Sequence, residues 1–200
     1  MTGHIKFMPR TNVRDKLLAA GLDTIHRLGF NGASVEDITR AAGVPKGSFY
    51  NHFESKESFV AAIVGLYWQG AADVSLRILS EQSLPPMERL ERYFSALAQG
   101  IAGRDYERGC LIGNLSTELA DQSDAVRGCL SSLLSDWTRA IERCVHEAQT
   151  LGQVRTDLDP AATAAFLVNA WEGTVLRSKV DRDGRAAAQF MQVVFSVLRA

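Results

Sequence analysis

No stretch of the 200 residues approaches the roughly 18 consecutive apolar side chains that a membrane span needs. The opening segment, Met1 to Arg10, carries Lys6 and Arg10 but no apolar run behind them, so no secretory leader is expected. Cysteine is scarce: Cys110, Cys129 and Cys144 make an odd count in a chain long enough to hold itself together without staples, which points to a reducing cytoplasm. Cys129 and Cys144 fall on one predicted helix about 22 Å apart along its axis. That is beyond the ~7 Å reach between disulfide partners. Histidine is also scarce, and His4, His26 and His146 read as solvated. There is no His/Cys metal spacing, no glycine-rich phosphate loop and no nucleophile–base pattern, which argues against an enzyme and against a bound metal or cofactor. β-branched alternation is missing as well, so a sheet is not expected. Neither sign of charge dominates, the formal net charge being −1.

What is present is an ordinary globular composition, 46% hydrophobic and 22% charged. Its charge is unevenly placed. Residues 1–56 hold eight Lys/Arg against five acids, a balance of +3, and the rest of the chain carries −4. A basic head on an acidic body suits a molecule that meets a polyanion at one end. Ala, Leu, Arg, Glu and Gln fill long stretches, and the apolar period predicts an all-α chain of about nine helices. The first spans about Asn12 to Leu28 and is ended by Gly29. The second opens at Ser34 with a capping pattern and closes at Ala42-Gly43. A very short third runs from Pro45 or Lys46 to Phe53, and Ser55 caps a fourth that could reach Leu79. After Pro85-Pro86 come helices at about 87–102, 108–120, Asp124 to Thr150, 160–180 and 184–199.

The segment 34–53 carries the clearest chemistry. A helix of seven or eight residues, a turn on Gly43 and a second short helix form a helix-turn-helix. Val35, Ile38, Ala42, Val44, Phe49 and Phe53 supply the apolar contacts. Lys46, Ser48, Tyr50, Asn51 and His52 are left outward, donors and small polar groups suited to phosphates and base edges in a major groove, while Gly47 leaves room for close backbone approach. Tyr50 and His52 could instead merely cap the apolar cluster and face solvent.

The run Ala41-Ala42-Gly43-Val44-Pro45-Lys46-Gly47-Ser48-Phe49-Tyr50-Asn51-His52-Phe53, followed by Ser55-Lys56-Glu57, resembles the DNA-binding head of the TetR family of bacterial repressors. Leu17-Leu18-Ala19-Ala20 and Gly29-Phe30 fit the same family's first helix, and the match covers about residues 11–71. Ser34 stands where Thr is more usual and Thr39 where Ala is. The resemblance implies a helix-turn-helix domain over 11–71 and an effector-binding, dimerising body over 72–200. It implies phosphate contacts from Tyr50, His52 and Lys56, base reading by Lys46, Ser48 and Asn51, and backbone contacts from Arg40 and Ser34. A helical adaptor that binds no DNA would explain the body but leave the head without a use.

One short helix reads few base pairs, so a second head from another copy is expected, giving a homodimer on a palindromic double-stranded operator. The last two helices, with Ala161, Ala164, Ala165, Val168 and Trp171 on one and Ala187, Phe190, Val194 and Val197 on the other, are candidates for that contact; part of each stripe must also be body core. Tyr67, Trp68, Phe94, Leu111, Asn114, Leu115, Trp137 and Trp171 are candidates to line an effector pocket. Gly109-Cys110-Leu111-Ile112-Gly113-Asn114-Leu115-Ser116-Thr117-Glu118-Leu119, with Ala170-Trp171-Glu172-Gly173 through Lys179, resembles a TetR subgroup. That subgroup includes the repressor of bacterial N-ethylmaleimide reductase and the acrylate-responsive repressor AcuR. The likeness implies a small-molecule inducer or an electrophile or oxidant sensed at Cys110. A helix N-terminus and Lys179 would lower the thiol's pKa. The same cysteine can equally be a small buried hydrophobe.

Overall fold

The computed structural model describes residues 12–71 and 76–200. His4, Lys6 and Arg10, and the stretch 72–75 across which the fourth helix was expected to continue, lie outside them. Among the described residues the chain is helical, with one isolated bridge between Val154 and Arg199. The elements are α1 (Val13–Gly32), α2 (Val35–Ala42), α3 (Gly47–Tyr50), α4 (Lys56–Ala71), α5 (Arg77–Leu79), α6 (Pro86–Ala102), α7 (Leu111–Leu119), α8 (Asp124–Thr150), α9 (Pro160–Asp181) and α10 (Arg185–Leu198). The count is ten because the single turn α5 is an element of its own. No helix among the described residues is long and apolar enough to cross a membrane.

Local chemistry sets the boundaries. The Asn12 side chain accepts the Asp15 N–H at 2.8 Å and starts α1. Gly29, at φ 77° and ψ 173°, breaks the helix as expected, but the chain turns once more before leaving at Gly32. Ser123 caps α8 and Asp159 caps α9, which also has proline in its first turn.

Two apolar clusters organise the packing. The first gathers Leu17, Ile25, Ile38, Phe49, Phe59 and Ile63 of the head, together with Leu111, Ile112, Leu115 and Leu119 of α7 and Val126 and Leu130 of α8. The second gathers α6, α8, α9 and α10 around Phe94, Trp171 and Phe190. Arg89, almost fully buried, ties α6 to α8 through two bonds to Glu147 at 2.6 and 3.0 Å and also donates to the Leu79 and Leu84 carbonyls.

Most of the stripe offered for self-association packs inside the protomer: Ala164, Val168, Trp171, Ala187, Phe190 and Val194 are buried and Ala165 is half-buried, while Ala161 and Val197 are exposed. The large apolar side chains turned outward are Phe166, Leu176 and Val180 on α9 and Val193 and Val197 on α10, each more than half exposed.

Candidate nucleic-acid interface and effector cavity

In the head, Ser34 and Asp37 form a reciprocal capping box. Asp37 N–H donates to Ser34 Oγ at 3.0 Å, and Ser34 N–H donates to Asp37 Oδ2 at 3.0 Å. Hydrogen bonds to the Asp37 carboxyl from the Ser34 hydroxyl and the Ser34 N–H, with the Arg40 guanidinium beside it, hold that carboxyl below the usual carboxylate range. The Ser34 hydroxyl is thereby engaged as a cap, and Arg40 is exposed but paired with Asp37. Gly43 adopts the left-handed conformation at φ 65°, ψ 34°, which lets Val44 N–H return to the Thr39 carbonyl at 3.0 Å. The turn then launches α3 from Pro45, whose carbonyl accepts the Ser48 N–H at 2.9 Å.

Phe49 is the anchor of this arrangement. Its ring is fully buried and stacks edge-on against Phe59 at 5.0 Å, while Phe53 closes on Phe59 at 4.7 Å. With Phe49 and Phe53 turned in, Lys46, Gly47, Tyr50, Asn51 and His52 are exposed and Ser48 is half-buried. Tyr50 is 60% exposed, so it does not cap the cluster; only its ring edge rests on Phe49. Lys46 sits 3.4 Å from Glu36 in a pair exposed on both sides, a contact too weak to prevent the ammonium from moving to a phosphate.

Lys56 is engaged within the head. Its half-buried ammonium donates to the Phe30 carbonyl and lies 4.1 Å from the centroid of the Phe30 ring. The side chain clamps the start of α4 to the end of α1 instead of standing free for a phosphate.

The body holds a cavity of about 470 Å³ between α4, α6, α7, α8 and α9, with Leu22 of α1 in its wall. Tyr67, Trp68, Tyr93, Cys110, Trp137 and Trp171 line it, and Arg104 stands at its margin. Trp137 is 5% exposed, and its Nε1 has no hydrogen-bond partner among the described residues. Five of the residues expected at the effector site are elsewhere or otherwise occupied. Phe94 is core, packed on Trp171 at 5.5 Å and Phe190 at 4.9 Å. Asn114 donates to the Arg108 carbonyl at 2.9 Å and braces a loop. Leu111 and Leu115 belong to the head's cluster. Lys179 runs past Gly109, outside the wall.

The electrostatics of Cys110 oppose the expected activation. It occupies the N-cap of α7, but burial and the neighbouring Glu172 carboxylate push its thiol well above the ordinary range. Glu172 is itself pushed up by burial, its Oε1 has no partner among the described residues, and the thiol leans on the carboxyl. Burial likewise pushes Cys144 up to about 11, and its sulfur bonds the Pro86 carbonyl at 3.4 Å.

Sequence reasoning missed His26. It is 6% exposed instead of solvated, its Nε2 lies 3.0 Å from the Gly109 carbonyl, and its ring meets Tyr67 edge-on at 5.6 Å. The spacing Leu18, Leu22, His26 places it on α1's inward stripe, which is the signal that could have found it.

Comparison with known proteins agrees with this geometry. Residues 17–63 match the model of bacterial regulatory proteins of the tetR family, and residues 86–194 match the tetracyclin repressor-like C-terminal domain. The chain is 41% identical over 191 residues to the HTH-type transcriptional repressor DhaR of Mycobacterium sp. strain GP1, covering 96% of this chain and 94% of that one. It is 35% identical to the transcriptional regulator AcuR of Cereibacter sphaeroides, covering 82% and 75%. The crystal structure of a regulatory protein TetR from Rhodobacter sphaeroides superposes with a TM-score of 0.87 at 32% identity, covering 93% and 98%. With a capped helix-turn-helix, an outward polar edge on α3 and a helical body matched along most of its length, the chain belongs to the TetR family of DNA-binding transcriptional regulators, which are not enzymes.

Proposed function

We propose that two copies of this chain form a cytoplasmic repressor whose heads, over residues 11–71, read the halves of a palindromic operator. A small uncharged, largely apolar molecule entering the body, residues 72–200, releases it. The observation that carries the reading is the division within α3: Phe49 is locked into the core while Tyr50, Asn51 and His52 remain free beside it. In a major groove Lys46, Ser48 and Asn51 face base edges, Tyr50 and His52 hold phosphates, Gly47 admits the backbone, and Ser34 and Arg40 flank the strand. Pairing through Phe166, Leu176, Val180, Val193 and Val197 covers the apolar face that α9 and α10 otherwise present to water.

The inducer follows from the wall. Three tryptophans and two tyrosines favour an apolar body, and the unpartnered Trp137 Nε1 favours one hydrogen-bond acceptor on the ligand. A thiol kept protonated by burial favours reversible binding over covalent capture at Cys110. The covalent alternative keeps one specific support, because Cys110 opens on the cavity with Glu172 beside it as a proton acceptor.

An operator selected from random duplexes tests the head. Tyr50→Ala with Asn51→Ala should abolish binding while the dimer survives by sedimentation; retained binding removes the assignment. N-ethylmaleimide decides between the inducer readings. Release that disappears in Cys110→Ser establishes capture at the thiol. No release by the reagent, or release unchanged in that variant, leaves the reversible reading standing.

A further inference from the structure

The aromatic wall of the cavity lies well inside the body: Tyr93, Trp137 and Trp171 are buried, and Tyr67 and Trp68 are half-buried. Helices packed in a core part reluctantly, so the passage of a ligand falls to the parts of the wall that are not helix. Among the described residues these are Leu76 and the segment joining α6 to α7. That segment crosses the edge of the cavity. Gly100, Ile101 and Arg104 line the space on one side of it, and Gly109 and Cys110 on the other.

The two halves of the segment are held very differently. Arg108 and Gly109 are fixed: Arg108 Nη1 donates to Asp23 Oδ1 at 2.6 Å, Asn114 donates to the Arg108 carbonyl at 2.9 Å, and His26 Nε2 lies 3.0 Å from the Gly109 carbonyl. In the turn over 103–107, Gly103, Arg104, Asp105 and Glu107 are exposed and Tyr106 is half-buried. The junction of α9 and α10 touches this turn. Arg182 Nη1 is 3.5 Å from the Asp105 carbonyl and 3.7 Å from Glu107 Oε1, and a Cβ at Gly184 would fall 3.1 Å from the Tyr106 hydroxyl. Polar contacts of that length between exposed partners are weak. The backbone of the turn is also held against its preference. Asp105 and Tyr106 stand in succession in the left-handed region, at φ 52° and 58°, where a β-carbon is disfavoured. Their N–H groups donate to the Ala102 and Ile101 carbonyls, each at 3.0 Å, and keep them there. Opening the turn releases that conformation, so this stretch of the rim yields most easily.

We propose that the turn over 103–107 is the door of the cavity, swinging about Arg108 and Gly109 and latched shut by Arg182 and by Tyr106 seated on Gly184. The inference rests on the cavity being the ligand site and adds the way in. Arg182 is a positioning residue, since it stands outside the cavity wall and acts through the turn. A latch of this kind governs rates and leaves affinity alone. The door is shut with or without a ligand behind it, so weakening the latch speeds entry and exit by the same factor.

The test is stopped-flow mixing of the full-length protein with N-phenyl-1-naphthylamine, an uncharged apolar fluorophore. Binding is read from its emission and from tryptophan quenching, since all three tryptophans line the cavity. Arg182→Gly removes the latch yet suits the left-handed end of α9, where this residue has φ 56°. That variant and Tyr106→Ala should each raise the association and dissociation rates together by about threefold or more, with the dissociation constant within about twofold of wild type. Arg182→Lys, which keeps a cation for the Asp105 carbonyl, should behave as wild type. Amide exchange in Arg182→Gly should quicken over 103–107 and stay unchanged in α6 and α9, which separates an unlatched door from general loosening. Rates unchanged in both disruptive variants place the entrance elsewhere on the rim and overturn the proposal. So does a change confined to the dissociation rate, which would make the turn part of the binding wall, and so does faster exchange that spreads through α6 and α9. Failure of the wild type to bind the probe overturns the cavity reading and the door with it.

Discussion

His26 shows what one buried ring contributes to this molecule. Burial lowers its pKa, the Gly109 hydrogen bond acts in the opposite direction, and Arg104, Arg108 and Lys179 lower it further; Tyr67 packs on the same ring. The neutral form is therefore the one the fold prefers. A histidine whose folded pKa lies below its unfolded value stabilises fully above about pH 6.5, and that stability is lost as pH falls through the folded pKa. Urea midpoints at pH 7.5 and 5.5 should show the wild type losing more on acidification than His26→Phe. Equal losses would mean that folding leaves the protonation of the ring unchanged. The residue also shows the limit of reading the chain alone. Ser34, Asp37 and Gly43 were legible because their partners lie within a few positions, where capping and turn chemistry are local. The partner of His26 is a carbonyl 83 positions away, and the setting of Cys110 is distant in the same way, since burial and the Glu172 carboxylate raise its pKa and no local pattern announces either.

Among the elements, α2 and α9 illustrate opposite outcomes. The start and stop of α2 were both visible, and its cap is worth measuring: Ser34→Ala should cost about 1 kcal/mol in chemical denaturation, while Ser34→Thr should cost much less. α9 was placed correctly along the chain, but most of the stripe offered for self-association faces the core of the protomer. Its inner side carries Ala164, Leu167, Val168, Trp171 and Val175, and its outer side carries Phe166, Leu176 and Val180. A helix apolar on both sides has no polar stripe to mark solvent, so periodicity cannot choose between them. The structure can, and the two faces predict different phenotypes. Phe166→Glu with Leu176→Glu should give a folded monomer by sedimentation with little change in helical signal. Val168→Glu should instead unfold the body, because an unpaired carboxylate would enter the core. A Phe166/Leu176 variant that remains dimeric would move the contact away from α9.

At the scale of the whole molecule, the uneven charge becomes a statement about DNA. The body is net acidic, so the proposed binding mode rests on a few cations near α3 and on the N–H and hydroxyl donors around them. Salt dependence counts those cations, since each phosphate neutralised releases condensed counterions. Lys46 is the exposed ammonium nearest the recognition edge, held only by Glu36. Lys46→Gln should therefore flatten the slope of log affinity against log salt by about one for each head engaged, and weaken binding at low salt more than at high. Lys56 makes the contrasting case. Its ammonium is engaged with Phe30, so Lys56→Gln should leave the salt slope near its wild-type value and instead lower thermal stability, because the clamp between α1 and α4 is lost. If Lys56→Gln reduced the slope as Lys46→Gln does, the lysine would have left Phe30 for a phosphate in the complex. The head would then have to rearrange on binding, and the α1–α4 contact would be one of the things the operator changes.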